Sequence, residues 1–484
     1  LIIDSAKLIY TLIIVIGEDL MIERACISQL MAWCNERNGR KPLLIRGARQ
    51  VGKTTIVRML AAQCGLNLIE VNFEKPWRFV QTLESLNPRR TVEAIAFELN
   101  VDIHPENSLI FFDEVQACPK ALELLRYFYE EAPEYRVVAT GSLLEFALAE
   151  PGFSVPVGRI QLFHLGPLTF EEFLQATGED KALSLIRNFQ AGDTIPGPAH
   201  DKMNHLVRLY SITGGMPQAV DTYASTRSFT TVERIKADIL DTFRLDFNKY
   251  QGRANVHLLT LVFDALPRLM GRKLIFSKID SNYRSSELAK AVEQLYMARV
   301  ITKVFNSHAN GVPLGAEKND RYFKIMLLDT GLLLTQLRLV PTDIDLVPEL
   351  NLVNSGILAE QFIGQQLHAM QSTQREPELY YWAREERAAS AEVDFVFETE
   401  TRNIVPVEVK AGSTGSLRSL HLMVQLKSLP VAVRFCSDLP TLFREKRGTV
   451  KGTVDFLLLS LPHYLVQQMP RILNTVLNRK EAST

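Results

Sequence analysis

Apolar positions between residues 43 and 142 come in short runs separated by amphipathic stretches. Leu43-Leu44-Ile45, inside Pro42 to Arg46, is the first run. A glycine-bounded turn follows, then a helical stretch from Lys53 to Gln63 that Gly65 stops. Leu68 to Phe73 alternates as a strand does, and Ser108 to Phe112 is an apolar run ahead of two acids. Pro119 to Glu131 has helical spacing, and Arg136 to Ala139 is another short strand. Strands separated by helices predict βαβ units and a parallel sheet.

Beyond Gly166 the pattern changes. Residues 167 to 245 read as mostly helical, broken by a Gly- and Pro-rich loop at 192 to 200 and by Gly214-Gly215-Met216-Pro217. Residues 255 to 335 predict two or three helices and then a hairpin. Its strands are Val300 to Asn306 and Tyr322 to Leu328, with a turn at Asn310-Gly311. Three helices with a β-wing is a winged-helix pattern. From about 345 a helix at Ile357 to Met370 precedes strands at Leu379 to Ala383, Val393 to Glu398, Ile404 to Lys410 and Val431 to Cys436.

Two segments carry chemistry. Gly47-Ala48-Arg49-Gln50-Val51-Gly52-Lys53-Thr54 fits the phosphate-binding pattern G-x-x-x-x-G-K-[ST]. Its glycines let the backbone curl so that successive N–H groups point at one anion, and the helix that follows presents its positive end. Lys53 is expected to reach the β and γ phosphates of ATP, and Thr54 to ligate Mg²⁺. Thr55 and Arg49 complete the candidate nucleotide contacts, although Arg49 equally suits a solvent-facing position.

The acids after the apolar run, Asp113 and Glu114, suit Mg²⁺ binding and activation of the attacking water respectively. Thr140-Gly141-Ser142 ends the next strand. A hydroxyl there, Thr140 or Ser142, would sense the γ-phosphate; a plain strand-ending turn explains the same residues.

The second segment is Glu392-Val393-Asp394-Phe395 followed by Pro406-Val407-Glu408-Val409-Lys410. Residues two apart on a strand share a face, so Glu408 and Lys410 point the same way. With Asp394 on a neighbouring strand, two carboxylates can bind Mg²⁺ and the lysine can position a water. Glu360 is a fourth candidate. In the winged-helix region, Ser285-Ser286-Glu287 suits a helix cap, and Lys278, Arg284 and Lys290 suit phosphate contacts. Leu288, Val292, Leu295 and Tyr296 are core by spacing.

RGARQVGKTT, LIFFDEVQ, VVATGS, Gly158-Arg159, LGPLTFEEF (165 to 173) and GGMPQAV (214 to 220) together resemble the AAA-type ATPases of bacteria and archaea that carry a C-terminal domain of uncharacterised function. The resemblance runs from Met21 over nearly the whole chain. Arg159 is then a candidate arginine finger or sensor, which works best between copies of a homo-oligomer; an ordinary salt-bridged surface arginine is the alternative. Asp394, Glu408 and Lys410 resemble the PD-(D/E)xK nuclease core. The expected fold class is therefore α/β: a P-loop NTPase parallel sheet with a helical lid, then a winged helix, then a restriction-endonuclease-like α/β domain. The expected boundaries are 1–20 (an N-terminal extension, either preceding a native start at Met21 or an untidy addition), 21–165 (P-loop ATPase), 166–250 (lid), 251–344 (winged helix) and 345–484 (nuclease-like).

Composition narrows the partners. The chain has 484 residues, 46% of them hydrophobic and 23% charged, which suits several globular domains rather than disorder. Its formal net charge of −1 supplies no global field for nucleic acid, so any DNA contact needs a local patch. Cys26, Cys34, Cys64, Cys118 and Cys436 form no CxxC pair and read as reduced cytoplasmic thiols. The apolar run Leu8 to Ile16 is too short to span a bilayer, so no membrane is expected. The expected function is Mg²⁺-dependent ATP hydrolysis acting on or near DNA through the nuclease-like domain. The alternative is an ATP-dependent switch that binds DNA or a protein partner and cuts nothing.

Overall fold

The computed structural model describes residues 22–36, 38–141, 158–248, 255–339, 355–386, 389–412, 415–449 and 452–481. Ser142 and the first twenty residues lie outside this set. The chain divides into two compact units, Leu1–Gly166 with Thr373–Arg375, and Pro167–Ser372 with Glu376–Thr484. Among the described residues no helix is long and apolar enough to cross a membrane.

The first unit is built on five parallel strands: β1 (Leu43–Arg46), β2 (Asn67–Asn72), β3 (Ser108–Asp113), β4 (Arg136–Thr140) and β5 (Gln161–His164), in the order β2-β3-β4-β1-β5. β3 lies inside the sheet, and all six of its residues are buried. A parallel strand covered on both faces reads as a continuous apolar run, which is why Leu109-Ile110-Phe111-Phe112 does not alternate. Phe112 packs edge-on against Phe73 and Phe128, with ring centroids 5.4 and 6.1 Å away. Burying each such ring contributes roughly 1.5–3 kcal/mol. β5, at the sheet edge, escaped sequence reading because Gln161 and His164 break its apolar content within four residues.

Among the described residues the second unit holds eight strands: β6 (Ile301–Ser307), β7 (Lys318–Leu327), β8 (Leu379–Glu386), β9 (Ala389–Glu398), β10 (Ile404–Val409), β11 (Val431–Cys436), β12 (Thr441–Thr449) and β13 (Gly452–Pro462). Their order is β12-β13-β11-β10-β9-β8-β6-β7. The expected hairpin is present as the antiparallel pair β6–β7, after helices Val256–Leu269 and Ser285–Met297. β6 also pairs in parallel with β8, so strands from either side of residue 344 share one sheet. One face is covered by helix Arg418–Lys427, whose Leu420, Met423 and Val424 pack with Trp382, Val393 and Phe456.

Two local expectations shift. The loop at 192–200 ends early, because helix Gly197–Thr213 carries proline in its first turn, where the missing N–H costs nothing. The cap of helix Ser285–Met297 is Arg284, whose N–H donates to Glu287 Oε2 at 3.1 Å. The Gly214-Gly215 break serves close packing: a Cβ on Gly214 would lie 2.1 Å from Asp329 Oδ1. Gly215 N–H donates to Asp329 Oδ2 at 2.6 Å. Burial raises the Asp329 carboxyl above its ordinary range.

Candidate nucleotide site and acidic cluster

The strand order puts the C-terminal ends of β1, β4 and β3 side by side, and each delivers a candidate residue there. The loop after β1 turns through Gln50 (φ 64°) and Gly52 (φ 91°) before helix Lys53–Gln63 begins. A Cβ on Gly47 would sit 2.2 Å from Leu165 O, so only glycine lets the loop lie against that backbone. Arg24, buried, donates to Val51 O at 3.2 Å and to Gly166 O at 2.9 Å, bracing the loop from behind. No motif pointed to Arg24. Of the other loop residues, Ala48 and Val51 are buried, Arg49 is half-buried and Gln50 is exposed; Thr55, in the first turn of the helix, is exposed.

Lys53 is 8% exposed, with Nζ donating to Gly47 O at 3.1 Å and Ala48 O at 2.8 Å. Burial pulls its pKa down to about 8, against the pull of Glu114 and Asp113 and with help from the nearby Arg49 charge. Thr54 Oγ1 donates to Asp113 Oδ2 at 3.2 Å, so the two expected magnesium ligands already face each other. Burial raises the Asp113 carboxyl, and Glu114 adds to this; hydrogen bonds from Thr140 and Thr54 oppose it.

Thr140, fully buried, donates from Oγ1 to Asp113 Oδ1. Of the two hydroxyls left open by the sequence, Thr140 is thus placed against the acid. Glu114 takes a left-handed conformation (φ 53°), and its carboxylate accepts from Gln116 Nε2 at 2.5 Å. A hydroxyl and carboxylate oxygens at the head of a helix suit Mg²⁺ beside a phosphate. Arg159 stands apart from these groups: its Nε pairs with Glu130 Oε1 at 2.8 Å, and the side chain is 48% exposed.

Residues 39–174 match a family model described as an AAA domain. The N-terminal unit carries an AAA-type P-loop domain. Such a domain implies nucleotide binding, typically with Mg²⁺. Residues 204–343 and 355–444 match two further families, each described as a domain of unknown function. Among solved structures the chain is similar to the Walker-type ATPase PABY2304 of Pyrococcus abyssi, at 15% identity over 66% of this chain and 96% of that one, with a TM-score of 0.41. It is also similar to the Aeropyrum pernix ORC2 protein, at 14% identity over 69% of this chain and 95% of that one, TM-score 0.36. The Thermotoga maritima RuvB Holliday junction branch migration motor follows at 15%, 60% and 92%, TM-score 0.28. No curated protein matches the chain.

In the second unit, Asp394 on β9 and Glu408 on β10 stand beside each other, and Val409 N–H donates to Asp394 Oδ2 at 2.7 Å. Lys410 Nζ donates to Glu408 Oε1 at 2.6 Å, as the shared strand face requires. Glu360 joins them from helix Ser355–Ala369. That helix is clamped to β7 by Gln361, whose amide exchanges bonds of 3.1 and 2.8 Å with the Leu327 backbone. Burial raises the carboxyls of both Asp394 and Glu408; Glu360 adds to each.

A residue that sequence reading missed completes the cluster. Lys324 on β7 has a side chain only 1% exposed, with Nζ 2.9 Å from Glu360 Oε1, 2.6 Å from Glu392 Oε1 and 3.9 Å from Asp394 Oδ1. Burial alone would depress this ammonium, but Glu360, Asp394 and Glu392 together hold it well above the ordinary lysine range.

Proposed function

We propose that this chain hydrolyses ATP with Mg²⁺ at the P-loop and uses the cycle to drive its second unit on or near DNA. The observation that carries the ATPase reading is the meeting of Lys53, Thr54, Asp113 and Thr140 at the ends of adjacent strands. Thr54 and Asp113 would hold the magnesium, which would neutralise charge on the transferring phosphoryl group. Lys53 would exchange its main-chain carbonyls for phosphate oxygens. Glu114, next to the metal ligand, would orient and deprotonate water. Phosphate release from ATP, measured with Mg²⁺ and then with excess EDTA, tests this; release that persists unchanged in EDTA contradicts it.

Arg159 would serve as a finger on a neighbouring copy, its exposed guanidinium exchanging Glu130 for a γ-phosphate. Turnover per chain should then rise with protein concentration; a flat dependence removes Arg159 from the site. A DNA contact is supported by a pocket of about 200 Å³ lined by Arg268, Arg272, Lys273 and Lys278, a local basic patch on a near-neutral chain.

Lys324 favours the reading in which the chain is an ATP-dependent switch that cuts nothing. Its ammonium pairs with Glu360 and approaches Asp394, two of the acids that a nuclease would turn toward metal. Plasmid incubated with the protein, ATP and Mg²⁺ or Mn²⁺ separates the readings: intact DNA favours the switch, and cleavage lost in Lys410→Ala favours the nuclease.

A further inference from the structure

We propose that Lys324 is the resident cation of the acidic cluster and excludes divalent metal from it. The inference rests on reading Asp394, Glu408 and Lys410 as a nuclease-like constellation. In such a constellation the carboxylates need a cation, and in solution that would be a metal ion. Here the cation is covalently attached. The Lys324 ammonium is within 2.9 Å of both Glu360 and Glu392, is 3.9 Å from Asp394, and lies 5.2 Å from the Tyr381 ring centroid.

Three of the four carboxylate oxygens of the expected metal ligands also have partners. Asp394 Oδ2 holds the Val409 N–H, and Asp394 Oδ1 faces Lys324. Glu408 Oε1 holds Lys410, which leaves Glu408 Oε2, buried and without a hydrogen-bond partner. One such oxygen does not make a cage, since hard divalent ions need several oxygen ligands. Among the described residues, no three His, Cys, Asp or Glu side chains converge closely enough to hold a metal ion. The donor set thus disagrees with the metal site that Asp394 and Glu408 suggest by themselves.

The mechanism is electrostatic competition. A divalent ion must displace a buried ammonium that already has its carboxylate partners and has no water to retreat into. Lys324 comes from β7, far in sequence from Asp394, and Gln361 fixes to that strand the helix that carries Glu360.

The test is Mn²⁺ binding to the nucleotide-free full chain by calorimetry, in an Asp113→Asn background so that the P-loop contributes nothing. The chain with Lys324 should show no saturable site. Lys324→Met should gain one site, with affinity raised at least about tenfold, equivalent to 1.4 kcal/mol. Equal Mn²⁺ binding with and without Lys324, or none in either, overturns the proposal. Adding Glu408→Gln to Lys324→Met should abolish the new site; a gained site indifferent to Glu408 would instead mean that the nuclease-like reading is wrong. Should Lys324→Met not fold, mass-spectrometric amine labelling of the wild-type chain decides. Lys324 should stay unreactive in millimolar Mn²⁺, and labelling that appears with the metal overturns the proposal.

Discussion

Lys53 in the first unit and Lys324 in the second are both buried, face carboxylates and are tuned in opposite directions. Lys53 donates to main-chain carbonyls of its own loop, and burial lowers its pKa to about 8. Lys324 donates to carboxylates, which outweigh burial and raise its pKa. The first holds its charge through neutral acceptors that an incoming triphosphate can replace at a profit. The second has its charge consumed inside the fold. Burial is common to both; what differs here is that Lys53 donates to dipoles and Lys324 to anions.

The largest expected consequence falls on Lys324. Lys324→Met strands three carboxylates and should destabilise the second unit by about 3–5 kcal/mol, the cost of breaking a buried ion pair. Chemical denaturation checks it; a loss near zero would mean that the carboxylates are already protonated and the pairing is idle. Lys53→Met should do the reverse. Nucleotide affinity should weaken by about 1.5–3 kcal/mol, the worth of a charge-assisted hydrogen bond, with no loss of unfolding stability. Fluorescent-nucleotide titration beside a melting curve reads both.

The smallest effect is a pH dependence. The folded chain binds fewer protons at Lys53 than the unfolded chain between about 8 and the ordinary 10.5. Stability from this group therefore rises with pH across that window. Nucleotide affinity should fall across the same window, by less than Lys53→Met costs, because phosphates need the charged form. Lys53→Met should lack this limb; a limb that survives the substitution belongs to another group.

The comparison also shows why one site was legible in sequence and the other only partly so. The P-loop, its strand and both acids lie in short contiguous segments whose chemistry demands fixed spacing, so Lys53, Thr54 and Asp113 could be picked out as candidates. β3 declared itself because a strand buried on both faces must be apolar throughout. Asp394, Glu408 and Lys410 could be picked out as candidates for the same local reason. Lys324 could not: it sits on a strand that looked like the second arm of a separate wing. Only the pairing of β6 with β8 brings that hairpin into the acidic sheet. Arg24 was equally silent, since bracing a loop through backbone carbonyls leaves no motif.

The central claim is that the P-loop site breaks ATP with Glu114 handling the water. Steady-state phosphate release with saturating Mg²⁺-ATP, compared between the wild type and Glu114→Gln, tests it most directly. Loss of a general base predicts turnover lower by about 10²–10⁴-fold with nucleotide affinity unchanged. Wild-type turnover in Glu114→Gln would contradict the account.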